Sequence, residues 1–143
     1  MSHAFQVTFD ANDPHALAGF WAVALGYVFE PPPPEFDSWD VWARAMGIPE
    51  ANWNDARALV DPDGVGPRLF FQKVPELKTA KNRVHLDINV TRRGMPVEER
   101  RPIVEAAIEP LLAAGATLVR PYEEHGGFWI VMQDPEGNEF CVQ

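Results

Sequence analysis

A four-residue turn is written twice in this chain, as Asp61-Pro62-Asp63-Gly64 and as Asp134-Pro135-Glu136-Gly137. In each, an aspartate starts the turn, a proline fixes φ at the next position, and a glycine takes a backbone conformation other residues avoid. What precedes the two turns also matches. Phe5, Val7 and Phe9 alternate with Gln6, Thr8 and Asp10, the period of a half-buried strand. Asp13-Pro14 supplies an N-cap and a first-turn proline, and Leu17, Phe20, Trp21 and Ala24 follow at helical spacing. Gly26 stands where a helix-ending glycine belongs. A short strand at 27–30 is stopped by Pro31 to Pro34, and two more strands are expected at 57–61 and 68–74.

The second half repeats the order. Val84, Leu86, Ile88 and Val90 alternate with His85, Asp87 and Asn89, predicting a strand. A helix over 97–114 carries Ile103, Val104, Ala107, Ile108, Leu111 and Leu112 on one side and closes at Gly115. Pro102 is expected in its first turn, whereas Pro110 predicts a kink or break. Strands at 116–120, 127–133 and 138–142 complete the half. Each half therefore reads β-α-β-β-β. Two copies of so long a unit indicate a pseudo-symmetric fold rather than a solenoid. The expected class is α+β: a single domain of two tandem modules, 1–77 and 78–143, with an insertion at 30–57.

At 143 residues the chain can bury roughly two thirds of its unfolded surface, so neither disulfide nor structural metal is needed for folding. Twelve Lys and Arg stand against 21 Asp and Glu, a net charge of -9. The basic residues cluster only as pairs such as Arg92-Arg93, which argues against a nucleic-acid partner. The one cysteine, Cys141, cannot form an internal disulfide, and no apolar run approaches the ~20 residues that cross a bilayer. A cytoplasmic protein without membrane contact is expected. No Gly-rich phosphate loop, CxxC pair or HExxH helix is present, and the only serines, Ser2 and Ser38, support no Ser–His–Asp arrangement.

The 30–57 segment is the most individual part of the chain. Ser38 is placed to cap a short helix through Trp39, Trp42, Ala43 and Met46 that ends at Gly47. With Trp53 the segment carries three of the five tryptophans. Such rings either stack on a planar ligand or pack the insertion onto its own domain. Toward the other end, His125-Gly126-Gly127-Phe128-Trp129 reads as a mobile loop entering a strand, with His125 in solvent.

The doubled β-α-β-β-β order, the terminal Asp-Pro-Glu-Gly-Asn-Glu-Phe-Cys-Val, and the segments 69–75 and 81–87 together resemble the vicinal-oxygen-chelate superfamily. That group includes glyoxalase I, extradiol dioxygenases and bleomycin-resistance proteins, and the likeness is to its glyoxalase-like branch. The resemblance implies that each module curls its sheet into half a barrel, leaving a cleft. It also implies a homodimer. With the helices on the apolar faces, strand alternation turns Gln6, Thr8, His85, Asp87, Glu139 and Cys141 toward that cleft.

In metal-dependent relatives a His or Glu occupies positions resembling Gln6, His85 and Cys141. Here only His85 is a good ligand, so no metal and no other cofactor is expected; a metal, if bound, would use Gln6, His85 and Glu139. His85 reads either as a general acid/base oriented by Asp87 or as a hydrogen-bonded cleft histidine. Arg83 either anchors an anionic group or pairs with Asp87. Trp39, Trp42, Phe71, Lys73 and Trp129 are further candidate ligand contacts. The functional expectation is a protein acting on a small organic molecule by lyase- or isomerase-type proton transfer. The alternatives are non-catalytic sequestration of a drug or metabolite, as in bleomycin resistance, and metal-dependent glyoxalase or dioxygenase chemistry.

Overall fold

A computed structural model describes residues 1–143. The chain divides into two compact units, Met1–Ala22 with Gly26–Glu76 and Val23–Leu25 with Leu77–Gln143. The first contains β1 (Val7–Ala11), α1 (Pro14–Leu25, less its last turn), β2 (Val28–Phe29), α2 (Trp39–Ala45), β3 (Ala56–Val60) and β4 (Leu69–Lys73). The second contains β5 (Asp87–Ile88), α3 (Val97–Ala107), α4 (Glu109–Ala113), β6 (Thr117–Glu124), β7 (Gly127–Gln133) and β8 (Glu139–Val142). Both sheets are open, mixed and four-stranded, and their orders are the same: β1-β4-β3-β2 and β5-β8-β7-β6. In each, the first strand runs parallel to the last and the other pairings are antiparallel.

Local chemistry explains the elements. The Asp13 carboxylate accepts from Ala16 N–H at 3.2 Å to cap α1, Pro14 needs no N–H in the first turn, and Gly26 ends the helix at φ 69°. Leu17, Ala18, Phe20 and Trp21 of α1 are buried. In the first unit Phe9 stacks on Phe71 at 5.0 Å and meets Trp21 at 5.1 Å. In the second, β7 buries Phe128, Ile130 and Met132 at alternate positions and packs against α3.

The repeated turns work through their first residue. Asp61 Oδ1 accepts from Asp63 N–H at 2.9 Å, while Oδ2 accepts from Val65 at 3.1 Å and Gly66 at 2.7 Å. Asp134 Oδ1 accepts from the N–H of Glu136 at 2.9 Å and of Asn138 at 3.0 Å. A carboxylate holding two or three backbone donors folds the turn between the last two strands of each unit.

Three expectations are corrected. The strand foreseen at 84–90 is reduced to Asp87–Ile88, although backbone hydrogen bonds flank it, from Cys141 N–H to Leu86 O at 3.0 Å and from Val90 N–H to Gln143 O at 2.7 Å. Pro102 lies inside α3 rather than in its first turn, although the break at Pro110 occurs, between α3 and α4. The loop expected at His125 is a tight two-residue turn between β6 and β7, with His125 at φ 49° and Gly126 at φ 73°.

Candidate functional site

The first unit contains a cavity of about 730 Å³ built between its sheet and the 30–57 insertion. Four prolines keep the chain after β2 from continuing as a strand. Ser38 then accepts from Val41 N–H at 3.2 Å and starts α2, which carries Trp39 and Trp42 to the cavity. Gly47, at φ 71°, reverses the chain so that Ile48 and Trp53 complete the wall. The sheet supplies Ala58 and Phe70, paired across β3 and β4, and Phe29 comes from β2.

Hydrogen bonds fix two of the indoles. Trp39 Nε1 donates to Glu30 O at 2.7 Å and Trp53 Nε1 to Ile48 O at 3.0 Å. Trp42 meets Trp39 edge-on at 5.3 Å, and the Arg44 guanidinium lies 4.8 Å from the Trp53 ring centre. Rings held this way present apolar surface without much further ordering on binding.

Two cations line the same cavity in different states. Arg68 donates two hydrogen bonds to Glu30, Nε to Oε1 at 2.9 Å and Nη2 to Oε2 at 2.7 Å, and its Nη1 donates to Gln6 Oε1 at 3.1 Å. The Glu30 hydrogen bonds hold its pKa above the usual arginine value. Arg57 has no acidic partner. Its Nη1 donates to Trp53 O and Ala56 O, and its Nε reaches His15 Nδ1 at 3.4 Å. Of the other acids at this cavity, Asp40 and Asp55 are exposed, and Asp55 accepts from Asn52 Nδ2 at 2.8 Å.

The second unit gathers His85, Asp87 and Cys141, whose ligating atoms all lie within 4.8 Å of one another. His85 Nδ1 is 3.5 Å from Asp87 Oδ1, so the side chain that approaches Asp87 is His85 and not Arg83. Asp87 and Cys141 are register partners across β5 and β8. Burial pushes the Cys141 thiol up, and the Asp87 charge and hydrogen bond add to this, to about 11. The thiol is therefore protonated at neutral pH and is a poor nucleophile. Glu139 is engaged elsewhere, with Lys78 Nζ at 3.1 Å and Asn82 N–H at 2.9 Å.

Of the residues singled out in the sequence, Trp39 and Trp42 line the cavity, and Gln6 touches it through Arg68. Thr8, Lys73 and Arg83 are exposed. Phe71 is fully buried under α1 with Phe9; the contact on the cavity side is its neighbour Phe70. Trp129 stacks on Tyr122 at 5.6 Å across β7 and β6. His15, Phe29, Glu30, Arg57, Arg68 and Phe70 were not foreseen. Only Phe70 carried a signal, because it alternates with Leu69 and Phe71 on β4.

The donors implied for a metal do not suit a hard divalent cation, which seeks several free oxygens. Gln6 Oε1 already accepts from a guanidinium, and both Glu139 oxygens face Lys78. His85 is left with one carboxylate and a protonated thiol.

Residues 6–143 match the family model described as a glyoxalase-like domain. No curated protein matches significantly. Among solved structures, an enzyme of the glyoxalase/bleomycin resistance/dioxygenase family from Burkholderia phytofirmans is 20% identical, with TM-score 0.60 and coverage of 96% of this chain and 94% of its own. A fosfomycin resistance protein, FosX, from Listeria monocytogenes is 12% identical, with TM-score 0.61 and coverage of 99% and 92%. A bleomycin-binding protein from Streptomyces verticillus, complexed with copper(II)-bleomycin, is 16% identical, with TM-score 0.55 and coverage of 100% and 96%. At these identities the structures speak for the fold alone, a glyoxalase/bleomycin-resistance fold. The family model spans nearly the whole chain, and on that match the chain belongs to the glyoxalase-like domain family.

Proposed function

We propose that this chain binds a small, flat and largely apolar organic molecule in the cavity of its first unit. The observation that carries the reading is the aromatic wall of that cavity: Trp39, Trp42 and Trp53, with Phe29 and Phe70, around about 730 Å³. That volume suits a drug-sized ligand, and a mostly apolar lining with a few polar groups is how such sites are built. Two of the three indoles are held by hydrogen bonds to backbone carbonyls, which favours a ready-made site over one assembled on binding. The bleomycin-binding neighbour lends the reading support by analogy of fold.

A panel of planar aromatic compounds titrated against tryptophan fluorescence tests it. The expected result is saturable quenching by some members, weakened about tenfold or more in Trp42→Ala, the cost of removing one stacking ring. Saturable binding that is unaffected by Trp42→Ala and Trp39→Ala would contradict it.

A second reading is lyase- or isomerase-type proton transfer with His85 as acid/base and Asp87 orienting it. The 3.5 Å approach of the two side chains supports it. The cavity lining includes neither residue, so binding leads. Turnover assays on each ligand found by the panel, with His85→Ala as control, decide between binding alone and catalysis. The donor chemistry favours a protein that works without a resident hard cation.

A further inference from the structure

The cavity's two guanidiniums differ in one respect that bears on what it accepts. Arg68 is neutralised by the two oxygens of Glu30. Arg57 is half-buried, makes no ion pair, and uses only Nε and Nη1 in hydrogen bonds, to His15 Nδ1 and to two backbone carbonyls. Those carbonyl bonds orient the guanidinium without cancelling its charge. Its Nη2, with two N–H groups, has no protein partner. Trp42 Nε1 is a second donor at the same cavity without one, while the other two indole donors are tied to carbonyls.

A ligand that filled an apolar cavity and left a guanidinium uncompensated would pay its desolvation. Resting on the binding function proposed above, we infer that the ligand is an organic anion: an aromatic ring system bearing a carboxylate, which Arg57 Nη2 receives while the ring lies against the tryptophans. A carboxylate accepts from Nη2 and converts an unpaired charge into a charge-assisted hydrogen bond. Of the acids at the cavity, Glu30 is taken up by Arg68, and Asp40 and Asp55 are exposed, so none of them stands as a buried, unpaired partner for a cation.

Isothermal titration calorimetry with three probes of one shape tests this: 2-naphthoate, its neutral amide 2-naphthamide, and the cation 2-naphthylmethylammonium. The carboxylate is expected to bind about tenfold or more tighter than the amide, the usual worth of a hydrogen bond to a charged group. In Arg57→Gln that preference shrinks toward equality, because the carboxylate loses more affinity than the amide; in Arg57→Lys part of it returns, since a point charge replaces the guanidinium. Equal binding of carboxylate and amide, or tighter binding of the ammonium, overturns the anion inference and leaves the cavity reading standing. Failure of all three to bind overturns both. A thermal unfolding curve of each variant separates loss of the site from loss of the fold.

Discussion

Arg68 grips Glu30 through two nearly parallel hydrogen bonds of 2.9 and 2.7 Å, across a separation of 38 residues. The pair ties the start of the proline-rich insertion to the start of β4, so it sets where the insertion leaves the sheet. Both side chains are about one-third exposed, which limits the contribution to about 1 kcal/mol even for so favourable a geometry. Urea denaturation of Glu30→Gln and of Arg68→Met should each show a loss of that order, and the double variant should lose little more than either. Losses that simply add would mean the two residues act separately.

Asp134 is 2% exposed and organises the second of the repeated turns through Glu136, Asn138 and the Asn138 side chain. Its removal leaves part-buried backbone donors without their carboxylate, at a cost of about 1–2 kcal/mol. Asp134→Ala should therefore shift the urea midpoint markedly, and more than Asp61→Ala, whose turn lies in solvent. An unchanged midpoint in Asp134→Ala would contradict this role.

Acid stability should carry the mark of Glu139. Burial alone pushes its carboxyl up, but the Asn82 N–H, its own backbone N–H and the Lys78 ammonium outweigh that and bring its pKa down to about 2. The native state thus favours the ionised form more than the unfolded chain does. The stabilisation is complete above the ordinary glutamate range near pH 4.5 and drains away as the pH falls toward about 2. Stability measured from pH 6 to pH 2.5 should fall less steeply in Glu139→Gln than in the parent (about one protonation fewer over that window). Identical slopes would remove Glu139 from the account.

How far the sequence reveals the fold and the site depends on whether the signal is local. Asp13, Gly26, Ser38 and the two Asp-Pro-acid-Gly turns each act within a few residues, and the structure bears out each of them. Phe71 shows the limit. Leu69, Phe70 and Phe71 are apolar on both faces of β4, so alternation does not say which ring meets the helix; the register Phe9 to Phe71 and Thr8 to Phe70 decides it. Arg57 and Arg68 were illegible for a related reason. Whether an arginine is paired depends on what stands opposite in space, and Glu30 is 38 positions from Arg68.

The donor chemistry of the second unit yields a prediction on metal. With Cys141 held protonated near pKa 11 and Glu139 engaged by Lys78, addition of Mn²⁺ or Zn²⁺ to dialysed protein should raise the melting temperature by less than about 1 °C. Elemental analysis should find well under one ion per chain. One tightly held ion per chain, lost in His85→Ala, would instead assign the His85–Asp87–Cys141 cluster to metal.

The central claim is that the first unit's aromatic cavity is where the ligand sits, and the five indole N–H signals of the tryptophans report on it directly. Trp39, Trp42 and Trp53 line the cavity, Trp21 is buried beside Phe9, and Trp129 stacks on Tyr122 in the second unit. Titration of 2-naphthoate into ¹⁵N-labelled protein, with each signal assigned by a Trp→Phe variant, should move the first three resonances by ring-current shifts and leave those of Trp21 and Trp129 in place. Binding that moves Trp129 alone, or that leaves Trp39, Trp42 and Trp53 unmoved, would contradict the account.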